Sequence, residues 1–347
     1  MNKKHCFVEN IGLPRLIMAA FLLLLLASVA IFRLQLALSI SQCISRSCIY
    51  MVLALAMVPA VQSGIGLNFG LPLGICCGLL AGLMGLEWGF TGIAGIVIAL
   101  LIAIPIAAVA GLLYGMLMNR VKGSELMVGT YVGFSVVSVM CIAWMKLPFR
   151  NPKFIWAMGS GLRNTITLDG FYEKALNELW SFEVLGIEIP TGLILACAFF
   201  CLLVWLFTQS KMGIAIAAGG SNPDFARFNG VNAERTRILG AVFSTILGAF
   251  GIIIYSQGFG FYQLYNAPMN MAFPAVAAVL IGGATARKIS VWNVVLGTVL
   301  FQSILALASP VAGAILPEGN LAEVFRIIIS NGIILYALTK AGGGRER

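Results

Sequence analysis

Apolar runs broken by short polar clusters organise the chain from end to end. The stretch from Leu16 to Phe32, LIMAAFLLLLLASVAIF, carries no charge, and similar runs recur throughout. They do not alternate with period two, so a barrel is excluded, and the pattern predicts helices that satisfy their own backbone groups in lipid. Read against their flanks, the runs give about ten membrane segments. They lie near Leu13 to Phe32, Cys48 to Gln62, Leu71 to Gly85, Phe90 to Met118, Glu125 to Met145, Ile189 to Phe207, Thr236 to Ser256, Met271 to Gly283, Val291 to Ser309 and Leu321 to Thr339. Several are too short to cross a ~30 Å hydrocarbon core as straight helices. The expected fold is all-α, a polytopic transmembrane helical bundle with short and broken helices, forming one domain over residues 1–347.

Composition strengthens this reading. Of the 347 residues, 60% are hydrophobic and 10% charged, with a mean hydropathy of +0.98. A soluble domain has roughly 45–50% apolar and about 25% charged residues. The net charge of +9 does not imply a nucleic-acid partner, because the basic residues are scattered at span ends. The eight cysteines sit mostly inside apolar runs without ligand spacing, and His5 is the one imidazole. No metal site is expected, and the cysteines read as small core residues. MNKKHC followed by the first run resembles a signal peptide, with Ser28-Val29-Ala30 as a cleavage site. The length of that run and the spans after it favour an uncleaved first span.

Charge also orients the spans. Placing both termini in the cytoplasm puts Lys3, Lys4, Arg15, Arg120, Lys122, Lys211, Arg227, Arg235, Arg237, Arg287, Lys288, Lys340, Arg345 and Arg347 inside, with Arg33 and Arg46 against the rule. Residues 146–188 then form an external loop with balanced charges, and residues 209–235 lie in the cytoplasm.

That cytoplasmic segment has its own local logic. Asn222 suits an N-cap, Pro223 the first helical position, Asp224 the positive end of the helix dipole and Gly230 a left-handed C-terminal position. A helix of about two turns is marginal alone, so packing holds it. Phe225 and Phe228 share one face, Asp224 and Arg227 another. A capped connector with no partner satisfies the same physics.

The run KMGIAIAAGGSNPDFARFNGVN, Lys211 to Asn232, resembles the cytoplasmic loop of permease subunits in the ABC importer family for ribose, xylose, galactose and branched-chain amino acids. Gly213, Ala215, Ala218, Gly220, Asn222, Pro223, Ala226, Arg227, Gly230 and Asn232 carry the match, while Ile214 stands where Arg is usual. PAVAAVLIGGATARKISVWNVVLGTVL, Pro274 to Leu300, is similar to a second family segment. LALAMVPAVQSGIGLNFGLPLG is similar to a third, with Gly66 at the usual Asp position and Asn68 at the usual Ser. The resemblance implies a coupling helix formed by Asn222, Pro223, Asp224, Phe225, Arg227, Phe228 and Gly230. It also implies an ABC ATPase subunit that binds the ATP, a second permease in a homo- or heterodimer, an external solute-binding protein and a bacterial inner-membrane location.

Two Gly/Pro-rich breaks, Gln62 to Pro72 and Ala267 to Pro274, point to a transport path, because irregular backbone at membrane depth is tolerated where it lines a cavity or is packed in protein. Gln62, Asn68, Asn266, Asn270, Gln302 and Ser303 supply uncharged hydrogen-bonding groups there, and each could equally bond between helices. The centres of these spans contain essentially no ionisable residue, which disfavours an ion-coupled carrier or a channel acting alone. The chain has no G-x-x-x-x-G-K-[ST] motif and no catalytic constellation, so no enzyme, catalytic residue or bound cofactor is expected. The expected cargo is a simple sugar, with branched-chain amino acids, nucleosides and furanosyl signals as alternatives.

Overall fold

Uncharged runs fold here as helices linked by short capped turns. In a computed structural model the protein is described over residues 13–156, 161–184, 186–285, 288–315 and 321–342. The first part holds α1 (Leu13–Ile31), α2 (Leu36–Leu55), α3 (Met57–Gln62), α4 (Leu71–Glu87), α5 (Gly92–Arg120) and α6 (Glu125–Trp144). The long polar segment contains β1 (Thr165–Thr167), α7 (Ala175–Glu178), β2 (Phe182–Val184) and β3 (Ile187–Ile189). Then follow α8 (Thr191–Gln209), α9 (Lys211–Ser221), α10 (Pro223–Phe228), α11 (Ala233–Phe259), β4 (Phe261–Gln263), α12 (Ala267–Ile281), α13 (Val291–Ile315) and α14 (Leu321–Gly342). Lys3, Lys4, His5, Cys6, Arg287, Arg345 and Arg347 lie outside the described residues.

Among the described residues, six stretches are long and apolar enough to cross a membrane: residues 36–62, 92–120, 125–146, 191–209, 233–259 and 291–315. Four more apolar helices, at residues 15–31, 71–87, 267–281 and 326–337, are shorter. The protein is a polytopic helical membrane protein. Its few strands are three residues each, antiparallel, paired β1 with β4 and β2 with β3.

The second span departs from expectation. It starts at Leu36 rather than near Cys48, which brings Arg46 inside a helix and corrects the expectation that span centres hold essentially no ionisable residue. Polar residues are admitted because their hydroxyls bond to backbone: Ser39 Oγ to the Gln35 carbonyl (3.0 Å), Ser47 Oγ to that of Cys43 (2.6 Å) and Ser41 Oγ to that of Glu188 in β3 (2.8 Å). Pro59 lies just past the junction of α2 and α3; proline lacks a backbone donor and disfavours the α conformation in the residue before it, both of which interrupt a helix.

At the centre, α11 packs against α2, α4 and α5. Small residues let the backbones approach: a Cβ on Gly111 would sit 2.8 Å from Val242 Cα, and one on Gly78 would sit 2.8 Å from Ala249 Cα. Close approach of this kind replaces the hydrophobic drive that lipid cannot supply.

Helix ends sort onto two sides. On one, Glu87 accepts from the backbone of Arg150 (2.9 Å), Gly92 N donates to Phe171 O (2.7 Å), and Tyr172 and Tyr262 share a 2.9 Å hydroxyl contact. On the other, Gly64 meets Gly220, Asn119 meets Glu234, and Arg15 bonds to the Gly282 carbonyl between α12 and α13. Exposed tryptophans follow the same division, Trp88, Trp156 and Trp180 on the first side, Trp205 and Trp292 on the second. Such aromatic residues favour membrane–water boundaries.

Candidate functional site

Three caps within one polar stretch set the path of the chain. Ser210 Oγ accepts from Gly213 N (3.2 Å) to start α9, and Asn222 Oδ1 accepts from Phe225 N (3.0 Å) to start α10. Asn232 Oδ1 accepts from the N–H groups of Glu234 (3.0 Å) and Arg235 (3.1 Å) to start α11. Gly230 follows α10 with φ +78°, the left-handed conformation that closes a helix.

Only Ala226 of α10 is buried. Phe225 and Phe228 are 62% and 92% exposed, and Asp224 and Arg227 are exposed too. The Phe pair therefore faces away from the membrane body. A 92% exposed Phe on a six-residue helix is unusual without a partner surface.

Behind this helix, α9 rests on the first Gly-rich break. A Cβ on Gly64 would sit 2.9 Å from Gly220 Cα. One turn further on, Arg237 Nη2 pairs with Glu125 Oε1 at 2.8 Å, lies 3.3 Å from the Met118 carbonyl, and its Nη1 lies 3.5 Å from that of Gly64. Sequence reading counted Arg237 only as a cytoplasmic charge; its partner lies on another helix, and nothing local signals it.

Phe69, Pro72, Thr130, Phe134, Met269, Ala272 and Phe273 line a narrow crevice between α4, α6 and α12. Phe69 and Phe273 meet with ring centroids 5.5 Å apart. Asn266, the residue before α12, and Asn270 within it are exposed, with Asn270 at helical spacing to Phe273. Asn331 is exposed on the neighbouring α14. The crevice aromatics and Asn331 were not singled out in the sequence, since apolar and small polar residues recur in every span.

The six uncharged candidates are not brought to one place. Asn68 is 1% exposed and engaged inside the protein: its Nδ2 donates to Ser244 Oγ (2.8 Å), and its Oδ1 accepts from Gly70 N and Tyr114 Oη, both at 2.9 Å. Gln62 ends α3, with its carbonyl against Gly220. Gln302 and Ser303 are buried in α13, where the Ser303 carbonyl faces Cys43 Sγ at 3.8 Å.

Gly/Pro-rich breaks between apolar helices, a crevice with an amide nearby and a capped helix that presents aromatics outward thus occur together in one chain. A family model described as the permease component of branched-chain amino acid transport systems matches residues 39–338, and the chain belongs to that family. It is 26% identical over 196 residues to the nucleoside ABC transporter permease protein NupB of Lactococcus lactis, covering 53% of this chain and 51% of that protein. It is 23% identical over 214 residues to the xylose/arabinose import permease protein XylH of Sulfolobus acidocaldarius, covering 60% of this chain and 52% of that protein. A 118-residue stretch is 30% identical to the xylose transport system permease protein XylH of Haemophilus influenzae, covering 33% and 31% of the two chains. The matches span about half or less of these relatives.

Proposed function

We propose that the chain is the membrane-spanning permease of a binding-protein-dependent ABC importer in the bacterial cytoplasmic membrane. It works beside a second permease, with two ATPase subunits and an external solute-binding protein, and α10 is the helix on which an ATPase subunit docks. The observation that carries this is the exposed Phe225–Phe228 pair on a helix whose caps and buried Ala226 hold it rigidly against the membrane body.

On this reading all ten apolar helices belong to the membrane body and both termini are cytoplasmic. Two features support it. The basic residues Arg15, Arg120, Lys122, Lys211, Arg227, Arg235, Arg237 and Lys288 gather on the side of α10, as the positive-inside rule requires. The spans also fall into two five-member series of matching length: 19, 27, 17, 29 and 20 residues from Leu13 to Trp144, then 19, 27, 15, 25 and 22 from Thr191 to Gly342. An odd number of spans per half inverts the second half, so α4 and α12 are equivalent short helices flanking one path.

The cargo is a simple sugar, a pentose foremost, in keeping with the two xylose permeases among the relatives. Nucleosides are the second reading, favoured by the NupB match and by the Phe69–Phe273 pair, which offers a ring face for a base. Proteoliposomes holding the permease with its ATPase and binding protein are expected to take up labelled xylose or uridine only with ATP inside. Asp224→Lys or Arg227→Glu should abolish uptake and the stimulation of ATP hydrolysis while the permease stays folded. Undiminished uptake in those variants would sink the docking role of α10.

A further inference from the structure

The turn between α5 and α6 is strapped to the first turns of α11 at two points. One strap is exposed: Lys122 Nζ lies 3.3 Å from Glu234 Oε1, with side chains 46% and 59% exposed, and Asn119 Nδ2 donates to the Glu234 carbonyl at 2.9 Å. The other is sheltered: Arg237 and Glu125 meet at 2.8 Å with side chains 13% and 17% exposed. Exposed pairs are screened and weak, whereas removing one partner of a sheltered pair strands a charge. Close packing already ties α5 to α11, with a Cβ on Gly115 placed 2.8 Å from Ile238 Cα; of the two straps, the Arg237–Glu125 pair is the one that ties α11 to the start of α6 through sheltered charges.

Their positions give that tie a direction. Arg237 stands one turn after the Asn232 cap that joins α10 to α11. Glu125 opens α6, the least buried of the six long spans. Just over one turn along α6 is Thr130, followed by Phe134, and these two form one wall of the crevice against Phe69 and Phe273. The same guanidinium faces the Gly64 carbonyl in the break that leads to Phe69. Arg237 Nε is buried without a partner, which leaves the guanidinium an unused donor for a second, bidentate arrangement with a carboxylate.

We infer that Arg237 and Glu125 form a latch that carries displacement of α10 to α6, so that the crevice wall shifts when the docked partner moves. Both are positioning residues. The inference rests on the docking role of α10 and adds the route by which motion leaves it.

The test uses the assembled importer with its ATPase and binding protein, freed of native cysteines and spin-labelled at Tyr131 on α6 and Leu202 on α8, both exposed side chains. Distances are compared without nucleotide and after trapping with ADP and vanadate. Trapping should shift the distance in the parent protein and in Lys122→Ala. In Arg237→Gln the shifted population should fall about fivefold or more, the size of an ordinary coupling energy. A full shift in Arg237→Gln overturns the latch while leaving the docking role intact. No shift in the parent protein removes the docking role, and the latch with it. If Arg237→Gln does not assemble, Glu125→Gln carries the same comparison with the same two outcomes.

Discussion

No side chain fits where Gly220 meets the turn after α3. A Cβ there would overlap the Gln62 carbonyl and lie 2.5 Å from Gly64 N and 2.6 Å from Ser63 C, all of it backbone that cannot rotate away. Gly220→Val is therefore expected to lower stability by about 1–3 kcal/mol, the usual cost of overpacking, and to pry α9 from the membrane body. Thermal unfolding of the purified permease in detergent should show the loss, and a variant as stable as the parent would mean the contact is slack. Sequence reading found Gly220 through its place in a family pattern but could not say what it touches. For Asn68 the sequence left open a path residue or a bond between helices, and Ser244, Gly70 and Tyr114 take up its hydrogen bonds. Gly66, where the family usually has Asp, adopts φ +87°, so the turn itself favours glycine there.

At the scale of elements, what was legible was local. The cap at Asn222, the proline at 223 and the glycine at 230 specify α10 through contacts within a few residues, and the helix forms where those signals place it. The start of α2 was not legible, because its polar half is tolerated through a bond from Ser41 to Glu188, far away in sequence. Likewise α12 begins at Ala267, so Asn270 lies on a helix rather than in a loop. The shortness of α10 makes its cap consequential. Asn222→Ala leaves Phe225 N without its acceptor, at a cost of about 1 kcal/mol. If the docking surface must be helical, that cost appears as roughly fivefold weaker binding of the ATPase subunit. Titrating ATPase subunit onto the permease in nanodiscs measures it, and Asn222→Ser, which keeps a capping oxygen, should bind like the parent.

For the whole molecule, the decisive surface is the one a single chain leaves unfinished. The outward face of α5 carries Val97, Leu101, Val109 and Leu113, all exposed and all suited to lipid. The outward faces of α12 and α14 differ, since Asn270 and Asn331 are exposed among Met269, Ile327, Ile328 and Leu335. A bare amide against hydrocarbon costs roughly 2–7 kcal/mol, and no lipid tail can satisfy it. On the proposed reading, water or a second permease covers that face, and a path between two permeases provides both. Cysteines introduced singly into a cysteine-free background distinguish the surfaces. Oxidation should convert Asn331→Cys into a covalent dimer when two copies of this chain pair, while Leu113→Cys on α5 remains monomeric. Were the second permease a different chain, Asn331→Cys would instead cross-link to that subunit in the assembled importer. A monomer in both settings, with Leu113→Cys dimerising, would put the interface on α5 and leave the amides of α12 and α14 unexplained.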